Sequence, residues 1–209
     1  MKKFKLTTKT KEHFGITLYQ IQATKDFGNV EKGDVGGWVE KEHNLSQVSD
    51  AWVYGNAWVC GNAWVYGNAS VYGNASVYGN ARVYGNARVS GNACVYGNAR
   101  VYGNAWVCGN ARVYGDAWVY GNARVYGNAR VYGNARVSGN ACVSGNAWVY
   151  GDLKLIGGYF YHTKEKTEEI EKIEVSDDYE ILCSEPKLGD EVKEEMVEID
   201  GKKWRDDNF

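Results

Sequence analysis

Proline occurs once in 209 residues, methionine twice and histidine three times. From residue 51 to residue 152 there is no lysine, glutamate, histidine or leucine. No run of ~18 apolar residues occurs, which excludes a membrane-spanning helix. The opening MKKFKLTTKTKEHFG is basic but has no apolar core, so a secretory signal is not expected. A net charge of −2 lacks the basic excess of a whole-molecule nucleic-acid footprint, so neither nucleic acid nor membrane is expected as a partner. No glycine-rich loop suited to cradling phosphate is present, and no cysteine and histidine spacing resembles a metal site. The expectation is therefore no cofactor, no metal and no catalytic residue. Five cysteines are present: Cys60, Cys94, Cys108, Cys142 and Cys183. They suit reduced thiols in a cytoplasmic protein.

Glycine (26), tyrosine (16) and tryptophan (8) are abundant. Ala51 to Asp152 reads A-x-V-[YCS]-G-[ND] in 17 unbroken hexads. Ala and Val sit two apart and share one face of a strand; x and the tyrosine position share the other. Gly-Asn is a turn signal, because both residues tolerate positive φ. Each hexad is then a short strand and a corner. So short a strand cannot bury its face alone, and the economical solution is a coil that stacks on itself. A bend at every hexad suggests three hexads per coil, or 18 residues. Six coils over residues 51–158 would make a triangular prism roughly 29 Å long at ~4.8 Å per strand.

These residues resemble the hexapeptide-repeat, left-handed parallel β-helix proteins, whose pattern is [LIV]-[GAED]-x-x-[STAV]-x. Val53-Tyr54-Gly55-Asn56-Ala57 and its successors fit the aliphatic and small positions, and depart where Tyr replaces a small second residue. The left hand is implied by the resemblance alone. The leader TLYQIQATKDFGNVEKGDVGGWVEKEHNLSQ resembles that of a bacterial and prophage subfamily labelled acetyltransferase or polymer-forming, with no function assigned. Acyltransferases of this fold use a histidine on the coils and a loop excursion. Here His13, His43 and His162 all lie outside the perfect repeats, and no excursion interrupts them.

Residues 1–50 read as an N-terminal cap, with strands at Phe4–Thr7 and Ile16–Ala23. Val35, Val39 and Leu45 suggest an imperfect coil in phase with the repeat. Residues 159–209 read as a β-rich C-terminal cap, with hairpins across Asp177-Asp178 and Asp200-Gly201. Charge is partitioned: +1 over residues 1–50, +5 over 51–152 and −8 over 153–209. The acidic end is a solvated cap, or it docks on an arginine-bearing face of its own or a neighbouring prism. Residues 51–98 and 99–146 are near copies that differ at six positions. Their 48-residue offset is not a multiple of 18, so the copies fall on different faces.

An 18-residue coil sorts the outward positions into three faces. The first carries Trp52, Ser70, Arg88, Trp106, Arg124 and Cys142, beside Tyr54, Tyr72, Ser90, Cys108, Tyr126 and Ser144. The second carries Trp58, Ser76, Cys94, Arg112, Arg130 and Trp148, beside Cys60 and the column Tyr78, Tyr96, Tyr114, Tyr132, Tyr150. The third carries Trp64, Arg82, Arg100, Trp118, Arg136 and Lys154, beside Tyr66, Tyr84, Tyr102 and Tyr120. Of 34 outward positions in the hexads, 18 are Trp or Tyr, a heavy load for a solvated surface. They could form in-register ladders, a subunit interface or a ligand shelf. The column Tyr78–Tyr150 is the candidate interface of a homo-oligomer. Arg88, Ser90, Trp106, Cys108 and Arg124 are the candidate shelf for a protein or a small anionic ligand. The leading reading is a non-enzymatic structural or interaction protein that self-associates and binds a partner. A divergent acyltransferase and a phage-encoded binder of a host component are the alternatives.

Overall fold

A computed structural model describes residues 2–162 and two later strands, Val197–Ile199 and Lys202–Trp204. Each hexad contributes a two-residue strand at x-Val, from Trp52–Val53 to Trp148–Val149, except that Cys142–Gly145 runs to four residues. Neighbouring coils pair in parallel at an 18-residue offset, as in Arg88↔Trp106 and Val89↔Val107. The result is a parallel β-solenoid with three sheets of nine, seven and six strands. Every Ala and Val of the hexads is buried, nearly all at 0 % exposure, so the core is a column of identical inward pairs.

The corner explains the Gly-Asn signal. The amide of Ala57 donates to the Tyr54 carbonyl, closing a turn whose first central residue, Gly55, has φ 60°. Positive φ at that position alone is the pattern of a type II′ turn, which glycine accommodates without strain. At Gly67 a second constraint operates: a Cβ there would lie 2.8 Å from the backbone nitrogen of Gly85 one coil on. Asn62 donates its backbone amide to Gly79 and its side-chain amide to Asn80 Oδ1 at 3.2 Å. The same link recurs up all three corners, so each edge of the prism carries an asparagine ladder.

The N-terminal cap begins with β1 (Phe4–His13) and β2 (Ile16–Ala23), an antiparallel hairpin turned by Phe14-Gly15. β1 runs further than the expected Phe4–Thr7. β3 (Val35–Val39) is antiparallel to β2 and parallel to Trp58–Val59, so the hairpin extends the nine-stranded sheet. Leu45 forms a bridge to Val65. An imperfect coil therefore precedes Ala51, but Val39↔Val59 and Leu45↔Val65 run at an offset of 20, not 18. Two extra residues break the expected phase. Val35 faces outward at 57 % exposure and pairs with Gln22 instead of joining the core column.

Gly36 and Gly37 let β3 lie close against the first coil. A Cβ on Gly36 would meet the Trp52 ring at 2.7 Å, and one on Gly37 would meet the Ala57 carbonyl at 2.6 Å. Asn44 is fully buried and donates to the carbonyls of Gly61 and Ala63, capping the bottom of the third sheet.

Beyond the hexads, Lys154–Leu155 completes the six-stranded sheet. Tyr159–His162 then pairs in parallel with Cys142–Gly145, so the seven-stranded sheet continues past Gly158. Phe160 packs against the core. The strands Val197–Ile199 and Lys202–Trp204 form an antiparallel hairpin across Asp200-Gly201, within a separate unit, residues 180–209. The expected hairpin at Asp177-Asp178 lies outside the described residues.

Candidate interaction faces

The solenoid presents its x and tyrosine positions in columns, and ring stacking fixes their geometry. Tyr78, Tyr96, Tyr114 and Tyr132 follow one another at ring-centroid distances of 4.9 Å with planes within 2°. Tyr150 continues the column at 5.1 Å. Trp58 stacks on Tyr78 at 5.4 Å, and His13 meets Trp58 at 4.5 Å. The column is thus an axial ladder whose ring faces are taken up by each other. Its side chains are half-buried. Burial pushes the phenols of Tyr78 and Tyr96 above their ordinary range, so they stay protonated at neutral pH. Arg112 and Arg130 lie beside the column, close enough to Tyr96 for their charges to act on its phenol.

The third face carries a second ladder, Tyr66, Tyr84, Tyr102 and Tyr120, at 4.7–4.9 Å. Here Trp118 lies between Arg100 and Arg136, each guanidinium 4.8 Å from its ring centroid. On the first face Trp106 donates its indole N–H to Ser90 Oγ at 3.3 Å. The indole therefore leans over Ser90, which is buried, and covers the gap that a serine leaves in a tyrosine column. Arg88 and Arg124 are exposed in the strands on either side of Trp106. Cys108 is half-buried, and desolvation raises its thiol above the ordinary range while the Arg124 charge opposes. A thiol so placed is a poor nucleophile. The five shelf residues are brought together, but as a filled strip, not an open hollow.

Several positions expected to face outward are buried, Ser76 and Cys142 among them, and two others are covered by the cap. Trp52 is 1 % exposed, because Phe4 and Phe27 of the cap pack edge-on against its ring at 6.1 and 5.3 Å. Cys60 is buried in a cluster with Leu18 and Trp38, and its thiol is pushed up to about 11. Both sit in the lowest coil, where the cap covers what the repeat alone would expose.

One recess opens where the cap coil meets the third face. His43, Leu45, Val48, Trp64 and Arg82 are among its lining residues. Among the described residues no three potential metal ligands converge, and no helix is long and apolar enough to cross a membrane.

The asparagine ladders were not anticipated from the sequence, although their signal was present: Asn recurs at every 18th residue on the three corners, with Asp116 and Asp152 the exceptions on one of them. Residues 75–151 match the family model described as YdcK beta solenoid repeat, in overlapping segments from 75–91 to 135–151. The match covers the repeats from residue 75 onward and agrees with the solenoid; it carries no acetyltransferase assignment. No curated protein matches the chain.

Proposed function

We propose that the protein is a non-enzymatic structural and interaction module: a rigid β-prism that associates with copies of itself and offers its side faces to a partner. The observation that carries this is the nine-stranded sheet. Its outer surface combines a continuous, stacked tyrosine column with arginines and exposed aromatics, the composition of interface cores. Arg88 and Arg124 beside Trp106 suit an acidic protein segment or a small anion on the first face. Cys60, Cys94 and Cys108 are not joined in disulfides, which supports a reducing, cytoplasmic setting. Light scattering at tens of micromolar tests the self-association: an oligomer is expected, and a monomer refutes it.

The acyltransferase alternative has one observation in its favour, the presence of His43 in the recess with Trp64 and Arg82. An acyl donor that protects the chain against heat, with the protection lost in His43→Ala, would favour it. The phage-encoded binder has no structural observation of its own.

A further inference from the structure

We propose that a second copy of the chain docks on the outer surface of the nine-stranded sheet with the two prisms antiparallel. This rests on the self-association reading and adds its face, direction and register.

Two large aromatics stand exposed at the two ends of this sheet. Phe14, at the tip of the β1–β2 hairpin, is 92 % exposed and has φ 48°, a conformation few non-glycine residues adopt. Its ring meets His13 at 4.5 Å, and His13 in turn meets Trp58, so Phe14 stands beside the lowest repeat strand of the sheet. Trp148, in the highest repeat strand of the same sheet, is 49 % exposed, with the Arg130 guanidinium 4.6 Å from its ring centroid. Each presents much of a large apolar surface to water at one end of the sheet.

The residues between them are polarised. From the bottom, the x column reads Trp58, Ser76, Cys94, Arg112, Arg130, Trp148. Between Trp58 and the arginines stand the small uncharged Ser76 and Cys94, of which Ser76 is buried by its neighbours and donates to Cys94 Sγ. The upper half holds two arginines in direct register, and no acidic residue shares their column. Like charges on adjacent strands repel.

A two-fold axis lying in the interface, across the strand stack, sets each column against itself in reverse order. Arg112 then faces the partner's Cys94, and Arg130 faces the partner's Ser76. Trp58 and Phe14 face the partner's Trp148, and Tyr96 faces the partner's Tyr114. Every arginine meets a small side chain, and the exposed aromatics cover each other at both ends. A parallel dimer would instead bring the arginines of both chains to the same two adjacent levels, which like-charge repulsion disfavours. The antiparallel arrangement is isologous, so every contact occurs twice.

Light scattering on the wild-type chain comes first. A monomer overturns both the self-association reading and this inference. Next, Phe14→Cys and Trp148→Cys are made separately in a background of Cys94→Ser, Cys108→Ser and Cys183→Ser. Circular dichroism checks that both variants fold, as their exposure leads us to expect. Oxidation of the two variants mixed together is expected to give a disulfide-linked dimer, while neither gives one alone. Self-linkage of Phe14→Cys would show parallel prisms and overturn the proposal. A dimer that forms but gives no linkage in the mixture also overturns it, and leaves the self-association reading standing. Because each contact occurs twice, the dimer dissociation constant of Phe14→Cys is expected to rise about tenfold or more. An unchanged constant counts against this face.

Discussion

Lys3 is 1 % exposed, its ammonium donating to the carbonyls of Ser49 and Ala51 at 2.6 and 2.7 Å and lying 4.6 Å from the Phe27 ring centroid. Burial lowers its pKa from 10.5 to about 8, against the opposing charge of Asp50. The sign of the stability change follows from proton binding. Below pH 8 both folded and unfolded chains hold the proton, and the folded chain bears the desolvation cost. Between 8 and 10.5 the unfolded chain binds more protons than the folded one, so this residue makes stability rise with pH. The Cys60 thiol, pushed up to about 11, acts in the opposite sense above pH 9, so the difference carries the test: the urea midpoint of the wild type should gain on that of Lys3→Met between pH 7 and 10. Asp116 gives a second residue-scale test. It accepts a hydrogen bond from Asn98 at 2.9 Å, but a carboxylate has no N–H with which to donate onward to Asn134. Asp116→Asn is expected to restore the link and stabilise the fold by about 0.5 kcal/mol, measured by urea unfolding.

At the scale of the element, the corner and the ladder separate cleanly. Gly85 and Gly151 share a positive φ, 69° and 66°. A Cβ on Gly85 would lie 2.9 Å from the Gly103 nitrogen, whereas one on Gly151 would have nothing within 4 Å. Gly151→Ala should cost about 1–2 kcal/mol for the backbone conformation alone. Gly85→Ala should cost measurably more in thermal or urea unfolding, and equal costs would mean the coils part easily. Tyr96→Ala removes two stacked contacts and should destabilise by about 1–3 kcal/mol more than Tyr126→Ala, whose column neighbours are Cys108 and Ser144. The strands, their faces and the 18-residue coil were legible in the sequence because one inward Ala-Val pair repeats without exception. The burial of Trp52 was not legible, since it depends on Phe4 and Phe27 arriving from a leader without a repeat. Nor was the covering of Ser90 by Trp106. A spacing places both residues on one face, but only the rotamer decides whether an indole stands clear or leans onto its neighbour.

At the scale of the solenoid, the β1–β3 cap packs against the lowest coils, and Tyr159–His162 adds a strand beyond Cys142–Gly145 at the other end. Everything between them is built from hexads with the same inward pair. Deleting residues 87–104 removes one full coil and should leave the fold and the columns in place, but it takes out Cys94 and sets Arg112 against the partner's Arg112, so the oligomer should weaken by light scattering. Deleting only residues 99–104 should also fold, with a similar circular dichroism spectrum, but it turns every later hexad by one face. Trp148 then leaves the sheet that carries Phe14, so the shorter deletion should give a folded monomer by light scattering. The same equivalence has a consequence for inheritance. A gene that spells one six-codon phrase many times over is prone to misaligned recombination, and each slip adds or removes whole phrases. The core cannot distinguish an insertion of six residues from one of eighteen; only the surface can. The near-identical halves, 48 residues apart, record one such event in which the core kept its register while the outward residues changed faces. Length variants of this gene are therefore expected to differ by multiples of six codons, and those that keep the sheet-to-sheet partnership by multiples of eighteen.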